Sequence, residues 1–295
     1  MTKSIELFIQ GGLGNQLIQM AYADALALTT GAEVEINPIL MSRAWSLLRG
    51  VSHRARAWDW SRHAPDVKGL PRQASGFLRF KFFSKASLQL QDTESFDQHL
   101  HRIEIAKDRA RLPLLGYFQR YESLHAKAES FWKRLSKSLY QNYHPEPFPA
   151  DQIVVHVRLG DYLLPQNKRL FASVSLKRQL KAAMDLRKLR SSSLPVHLVT
   201  DDPDLLQEKL DKLPTSRDFS IYRSTSALDD FIFLTRHRHI VGSNSTFSLC
   251  AARIARDLWG QNQTIHISPE WYLDKHQNLA MMHELRKCPF VSIYN

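Results

Sequence analysis

Short apolar runs alternate with helical patterns along the first half of the chain. The run Ile5–Ile9 predicts a strand, residues 16–28 carry apolar side chains at helical spacing, and Glu33–Asn37 predicts a second strand. Such a β-α-β unit implies a parallel sheet, because two strands joined through a helix run in the same direction. Residues 112–118 predict a further strand, and a helical region follows it to about Tyr140.

The second half repeats this alternation more clearly. Helical segments separate four predicted strands at 152–159, 195–200, 239–243 and 263–268. A proline-rich stretch at 144–151 predicts a linker, so we expect Rossmann-like domains over residues 1–148 and 149–295. Two such domains facing a central cleft form the GT-B architecture of many sugar-nucleotide transferases. The predicted fold is therefore α/β and GT-B-like.

Composition narrows the class of protein. A chain of 295 residues with 43% hydrophobic and 23% charged residues is typical of a globular protein with two domains. It contains no apolar run of membrane-spanning length, and its N-terminus lacks the pattern of a signal peptide. The only two cysteines, Cys250 and Cys288, exclude a disulfide framework and indicate the cytoplasm.

The formal net charge of +11 is concentrated in one segment. Residues 42–85 hold ten Lys or Arg against two Asp, a local net charge of +8. One interpretation is a solubilising surface. The other is attraction to phosphate on nucleic acid, on an anionic membrane or on a lipid-linked acceptor, which would place a cytoplasmic protein at the inner membrane surface.

The glycine-rich loop GGLGNQ, residues 11–16, lies between the first strand and the first helix. Backbone N–H groups at such a junction can bind an anion or a sugar. The loop lacks the dinucleotide fingerprint, because Leu17 occupies the position of the third glycine. A tight turn that needs glycine is an equally good interpretation.

The segment HVRLGDY, residues 156–162, is more informative. Strand alternation places His156 and Arg158 on one face, and Leu159 on the other face with the valines before it. A histidine and an arginine at the carboxyl end of a strand suit ligand binding, and arginine can donate two hydrogen bonds to a diphosphate. A buried salt bridge between Arg158 and Asp161 is the structural alternative.

The segment SNST at 243–246 also joins a strand to a helix. Helix capping by Ser243 or Asn244 explains part of it, but four polar residues exceed what one cap needs. The hydrogen-bond donors that capping does not use could bind phosphate oxygens or a nucleoside. Two other patterns, Asp202-Pro203-Asp204 and His237-x-His239, resemble metal ligands, but a helix cap and the lack of a third ligand favour structural roles. We therefore predict no metal site.

These segments together resemble the α-1,2-fucosyltransferase family, glycosyltransferase family 11. The matching stretches occur in the order of the family and span almost the whole chain, with residues 40–110 the least covered: GGLGNQLIQMAYADAL near the N-terminus, GYFQRYE (116–122), HVRLGDY (156–162), VTDD (199–202), SNSTFSLCAA (243–252) and SPEWY (268–272).

The resemblance implies an inverting, metal-independent transferase that needs no cofactor beyond its donor substrate, GDP-fucose. Its acceptor would be a galactose-containing oligosaccharide, free or lipid-linked, and no nucleic-acid partner is expected. The C-terminal half would bind the donor, with Arg158 at the diphosphate, and the N-terminal half would supply acceptor contacts. The implied donor-binding residues are His156, Asp201, Ser243, Asn244, Ser245, Thr246 and Phe247, and those implied on the acceptor side are Gly12, Gly14, Asn15 and Gln16.

Three positions depart from the family. Leu159 stands where a second arginine is usual, and Leu249 and Cys250 stand where bulky aromatic residues are common. Asp161 and His156 are the candidates for the base that takes the proton of the acceptor. Two alternatives stay open: a transferase for another GDP-deoxysugar or another linkage, and a basic nucleic-acid-binding protein.

Overall fold

A computed structural model describes residues 4–41, 72–73, 90–91, 94–106, 111–143, 152–160, 165–190, 193–260 and 263–294. Backbone contacts divide the chain into two compact units, Met1–Ser138 and Leu139–Asn295. This division falls within a helix, Glu129–Tyr143. The linker predicted at 144–151 lies outside the described residues, as does nearly all of the basic segment 42–85, and the boundary at residue 148 stays a prediction.

The N-terminal unit is built on a parallel sheet with β1 at its centre. The five strands that the structure describes here lie in the order β3-β2-β1-β5-β4, and every pair is parallel. The elements are β1 Ser4–Phe8, α1 Leu13–Thr30, β2 Glu33–Asn37, β3 Arg72–Gln73, β4 Leu90–Gln91, α2 Phe96–Ile105, β5 Arg111–Leu115 and α3 Glu129–Tyr143.

Helix α1 begins at Leu13, three residues before the predicted start. Gly14 and Asn15 therefore belong to its first turn rather than to a loop. The helix ends at Gly31, whose φ of 69° is the left-handed conformation that glycine adopts without strain. Alternate apolar residues of β1, including Ile5 and Leu7, are fully buried beneath it.

The C-terminal unit has a doubly wound sheet. Its six described strands lie in the order β11-β10-β9-β6-β7-β8, again with all pairs parallel. The elements are β6 Ile153–Val157, α4 Pro165–Lys168, α5 Leu176–Arg190, β7 Val196–Thr200, α6 Pro203–Asp211, β8 Ser220–Ile221, α7 Ala227–Thr235, β9 His239–Gly242, α8 Thr246–Trp259, β10 Thr264–Ile267, α9 Lys275–Lys287 and β11 Val291–Ile293.

One apolar layer of this unit joins β6 to the helices α5 and α6. Val155, Val157 and Leu159 belong to the same buried cluster as Leu180 and Leu206. The predicted position of Leu159 on the apolar face is confirmed. The prediction of an α/β protein with two Rossmann-like units is also confirmed, because each unit has a parallel sheet and helices join its strands where the structure describes the connections.

Candidate active site

The strand order of the C-terminal unit reverses between β6 and β9. Beyond β6 the chain adds β7 and β8 on one side, and it then returns to place β9 on the other. Loops diverge at such a switch point, which is where open α/β sheets bind ligands. The HVRLGDY and SNST motifs lie at the carboxyl ends of these two strands, so the fold brings them together.

Arg158 directly follows β6, and an aspartate after β7 holds it. Its Nε lies 3.6 Å from Oδ2 of Asp201, and the two side chains are 24% and 29% exposed. Oδ1 of Asp201 accepts hydrogen bonds from the N–H groups of Leu159 and Gly160 at 2.9 and 3.1 Å. One carboxylate therefore fixes both the guanidinium and the turn behind it.

This arrangement also sets the charge of Asp201. Burial raises the pKa of its carboxyl, but Arg158 and the two N–H groups lower the pKa further, and the net shift is downward. The turn leaves no space for a side chain at Gly160, because a Cβ there would lie 2.7 Å from Oδ2 of Asp201. The partner that the sequence suggested for Arg158, Asp161, lies outside the described residues.

His156 is buried between the two motifs. Its Nδ1 lies 3.2 Å from the hydroxyl of Ser243, and its ring stacks on Phe247 with centroids 5.3 Å apart. Its backbone carbonyl accepts hydrogen bonds from the N–H of Ser243 and from Nε2 of Gln179. Burial, and secondarily the Arg158 charge, lower the pKa of His156 to about 3, so the imidazole is neutral.

The SNST segment combines capping with long-range anchoring. Ser245 caps α8, and its side chain accepts a hydrogen bond from the N–H of Phe247 at 3.3 Å. The sequence predicts that Asn244 contacts the donor substrate, and its side chain also has a second set of partners. Its Nδ2 donates hydrogen bonds to the carbonyls of Ala172 and Trp271 at 2.8 and 3.0 Å. Both amide hydrogens therefore hold neighbouring main chain in place.

A cavity of about 420 Å³ opens beside Arg158. Ser243 and Asn244 line it from β9, and the chain between α4 and α5 lines it from the other side. Among the residues that the structure describes, its charged lining residues are Arg158, Lys168 and Lys209, all of them cations. A concave site with converging positive charge and hydroxyl groups is suited to a phosphorylated ligand.

The N-terminal loop is organised around a second reversal of strand order, between β1 and β5. Gly11 has a φ of 79°, and the side chain of Gln16 donates to its carbonyl at 3.0 Å. Asn15 accepts a hydrogen bond at 2.9 Å from Gln119, which lies in the loop after β5. Gln16, which is predicted on the acceptor side, is fully buried, and its side chain forms a hydrogen bond within the loop.

The four residues predicted on the acceptor side differ in their exposure to solvent. Gly12 is exposed and caps α1 without a side-chain hydrogen bond, Asn15 is half-buried, and Gly14 is buried in the helix. Only Gly12 and Asn15 of the four predicted residues can therefore meet a ligand without rearrangement.

Sequence similarity to a known family identifies the kind of protein that carries this site. The model of glycosyl transferase family 11 matches residues 115–281, more than half of the chain. The chain belongs to glycosyl transferase family 11. The resemblance to this fucosyltransferase family is confirmed, and the match includes every predicted donor-side residue. No curated protein sequence matches this family 11 glycosyltransferase.

Solved structures of fucosyltransferases match 85–90% of the chain at low identity. A mutant of Arabidopsis thaliana FUT1 in complex with GDP is 14% identical, with 86% of this chain and 68% of that chain covered and a TM-score of 0.43. The fucosyltransferase NodZ from Bradyrhizobium is 18% identical, with 85% and 92% covered and a TM-score of 0.42. POFUT1 in complex with GDP is 12% identical, with 90% and 98% covered and a TM-score of 0.46.

The two metal-like patterns of this glycosyltransferase have structural roles. Asp202 caps α6 by accepting a hydrogen bond from the N–H of Leu205 at 3.1 Å, and Asp204 pairs with Arg223 at 2.9 Å. His237 lies buried with its Nδ1 2.7 Å from the carbonyl of Phe233. Within the described ranges, no three His, Cys, Asp or Glu residues group as metal ligands, and no helix is long and apolar enough to cross a bilayer.

Proposed function

We propose that this protein transfers L-fucose from GDP-fucose to a glycan hydroxyl, with inversion, without a metal ion, and onto O2 of galactose. Family membership supports fucosyl transfer. The observation that carries the proposal is the position of Arg158. It lies at the switch point of a doubly wound sheet, paired with Asp201, and lines a cavity whose charged residues, within the described part of the chain, are all cations.

In the proposed reaction, the acceptor hydroxyl oxygen attacks the anomeric carbon while the bond from that carbon to the phosphate oxygen breaks. Negative charge develops on the leaving GDP as the sugar gains oxocarbenium character. Arg158 is placed to donate hydrogen bonds to that charge, and the Asp201 contacts fix its orientation before the donor binds. Preorganised donors of this kind need no reorganisation during the reaction.

The surroundings of His156 favour a positioning role over the role of base. A general base works best with a pKa near the operating pH and with access to the acceptor proton. His156 is 2% exposed and its pKa is about 3. We therefore assign to it the alignment of Ser243 and Phe247, and keep Asp161 as the candidate base, which takes the proton of the acceptor hydroxyl.

Product analysis tests this proposal. The protein is incubated with isotope-labelled GDP-fucose and a panel of free and lipid-linked galactosides, and the linkage is determined by NMR. We expect fucose on O2 of galactose. Transfer to another hydroxyl would contradict only the proposed linkage. Transfer from another GDP-deoxysugar but not from GDP-fucose would contradict the proposed donor.

Metal independence gives a separate prediction. The charge that a divalent ion would neutralise is assigned here to Arg158 and the other cations of the cavity. Turnover should therefore be unchanged, within about a factor of two, in excess EDTA. A loss of activity that manganese restores would contradict this and would return Asp202 and Asp204 to consideration.

Replacing Asn244 should weaken the fold more than it weakens donor contact. Asn244→Ala leaves the carbonyls of Ala172 and Trp271 without their amide donor in a buried site. We expect the free energy of unfolding to fall by roughly 1–3 kcal/mol, as measured by urea denaturation. Gln207→Ala, which removes an exposed side-chain amide that donates to Asp211, is the control outside the cavity lining and should leave stability nearly unchanged. Unchanged stability with a large loss of GDP affinity would instead show direct contact with the nucleotide.

A further inference from the structure

The cavity beside Arg158 receives two lysines that no sequence motif identified. Lys168 is the last residue of the short helix α4, and Lys209 lies near the end of α6. Both line the cavity together with Arg158. They are separated by 41 positions in the sequence, so only the fold brings them to one site.

Their lack of ion-pair partners distinguishes these lysines from their neighbours. Lys181, Lys212 and Lys287 each lie within 2.7 Å of a carboxylate on their own helix. Neither Lys168 nor Lys209 forms an ion pair with any carboxylate among the residues that the structure describes. Arg158 pairs with Asp201, which is not among the described residues that line the cavity.

Three cations around one concave site repel one another unless an anion lies between them. The lining also contains the hydroxyl groups of Ser173, Ser175 and Ser243, which can donate to phosphate oxygens. We propose that Lys168 and Lys209 bind the diphosphate of the donor from two sides of the cavity and share with Arg158 the charge of the leaving group. This inference rests on the proposed function for the identity of the donor.

Binding measurements with GDP, inorganic pyrophosphate and guanosine test the proposal by calorimetry. Lys168→Gln and Lys209→Gln should each raise the Kd for GDP and for pyrophosphate by about three- to tenfold, since a charge-assisted hydrogen bond is lost and tenfold corresponds to about 1.4 kcal/mol. The double variant should show a larger loss and a weaker dependence on salt. Guanosine affinity should not change.

Lys181→Gln and Lys212→Gln are the matched controls, because each removes the same charge from a side chain outside the cavity that is about 70% exposed, at 72% and 69%. Equal losses in these controls would show a general charge effect and overturn the proposal. Unchanged Kd values in both cavity variants, with melting temperatures like that of the wild type, would also overturn it, as would a wild-type protein that binds neither GDP nor pyrophosphate. Pyrophosphate binding that depends on the two lysines, in a protein that does not transfer fucose, would support their role in binding the diphosphate. It would contradict only the identification of GDP-fucose as the donor.

Discussion

Arg158→Ala should lower the rate of fucosyl transfer by about a hundredfold or more while the protein stays folded. Loss of one preorganised donor to a developing negative charge costs about 3 kcal/mol or more of transition-state stabilisation. The Arg158 side chain is 24% exposed and lies outside the apolar layer of β6, so the fold does not depend on its volume. The measurement is kcat/KM for GDP-fucose, with the melting temperature recorded alongside.

Arg158→Lys separates charge from geometry in the same experiment. Lysine keeps the positive charge but lacks the planar fork that binds two oxygens at once. Its rate should therefore lie between those of the wild type and the alanine variant. An alanine variant that keeps most of its activity would mean that the diphosphate is bound elsewhere and that the proposed centre is wrong.

The neighbouring residue should have the opposite phenotype. Leu159 is 8% exposed and packs in the apolar layer with Val155 and Val157. Leu159→Ala should lower the free energy of unfolding by roughly 2–5 kcal/mol, because it removes buried methyl groups and leaves a cavity. Leu159→Arg should also destabilise the protein, since it places a guanidinium among the apolar side chains of this layer and adds a positive charge beside Arg158, Lys168 and Lys209. Chemical denaturation and transfer rates check both variants.

Leu189→Ala is the matched control, because Leu189 is 82% exposed on the helix that covers the same layer. Its substitution should leave stability nearly unchanged. A Leu159→Arg protein that is both stable and faster than the wild type would show that residue 159 faces the donor.

Local patterns were sufficient to predict four of the six described strands of the C-terminal unit and the faces of β6, whereas the short edge strands β8 and β11 were not predicted. Alternation over residues 153–159 separates the apolar layer from His156, and each strand is followed by a recognisable helix signal. The same logic predicted the Asp202 cap, because proline follows an aspartate where a strand ends. These features depend on residues within a few positions of one another.

Features that depend on distant parts of the chain could not be predicted in this way. Asp201 binds the N–H of a residue 42 positions earlier, and Asn244 holds a carbonyl 72 positions earlier. Phe118 has a φ of 49°, and its buried ring stacks on Tyr22, 96 positions earlier, with centroids 4.5 Å apart. Local propensities contain none of these contacts, so the role of Asn244 in anchoring two main-chain carbonyls was not predicted, while its contact with the donor substrate stays a prediction.

The last described strand, β11, has a practical consequence for fragments of this protein. The family match ends at residue 281, within α9, and a fragment trimmed to that point would lack β11. It would retain the Trp271 carbonyl that holds Asn244 but expose the edge of β10, where Ile265 and Ile267 pair with β11. Unprotected strand edges of this kind template aggregation. Fragments for crystallisation or binding work should therefore extend at least through Ile293.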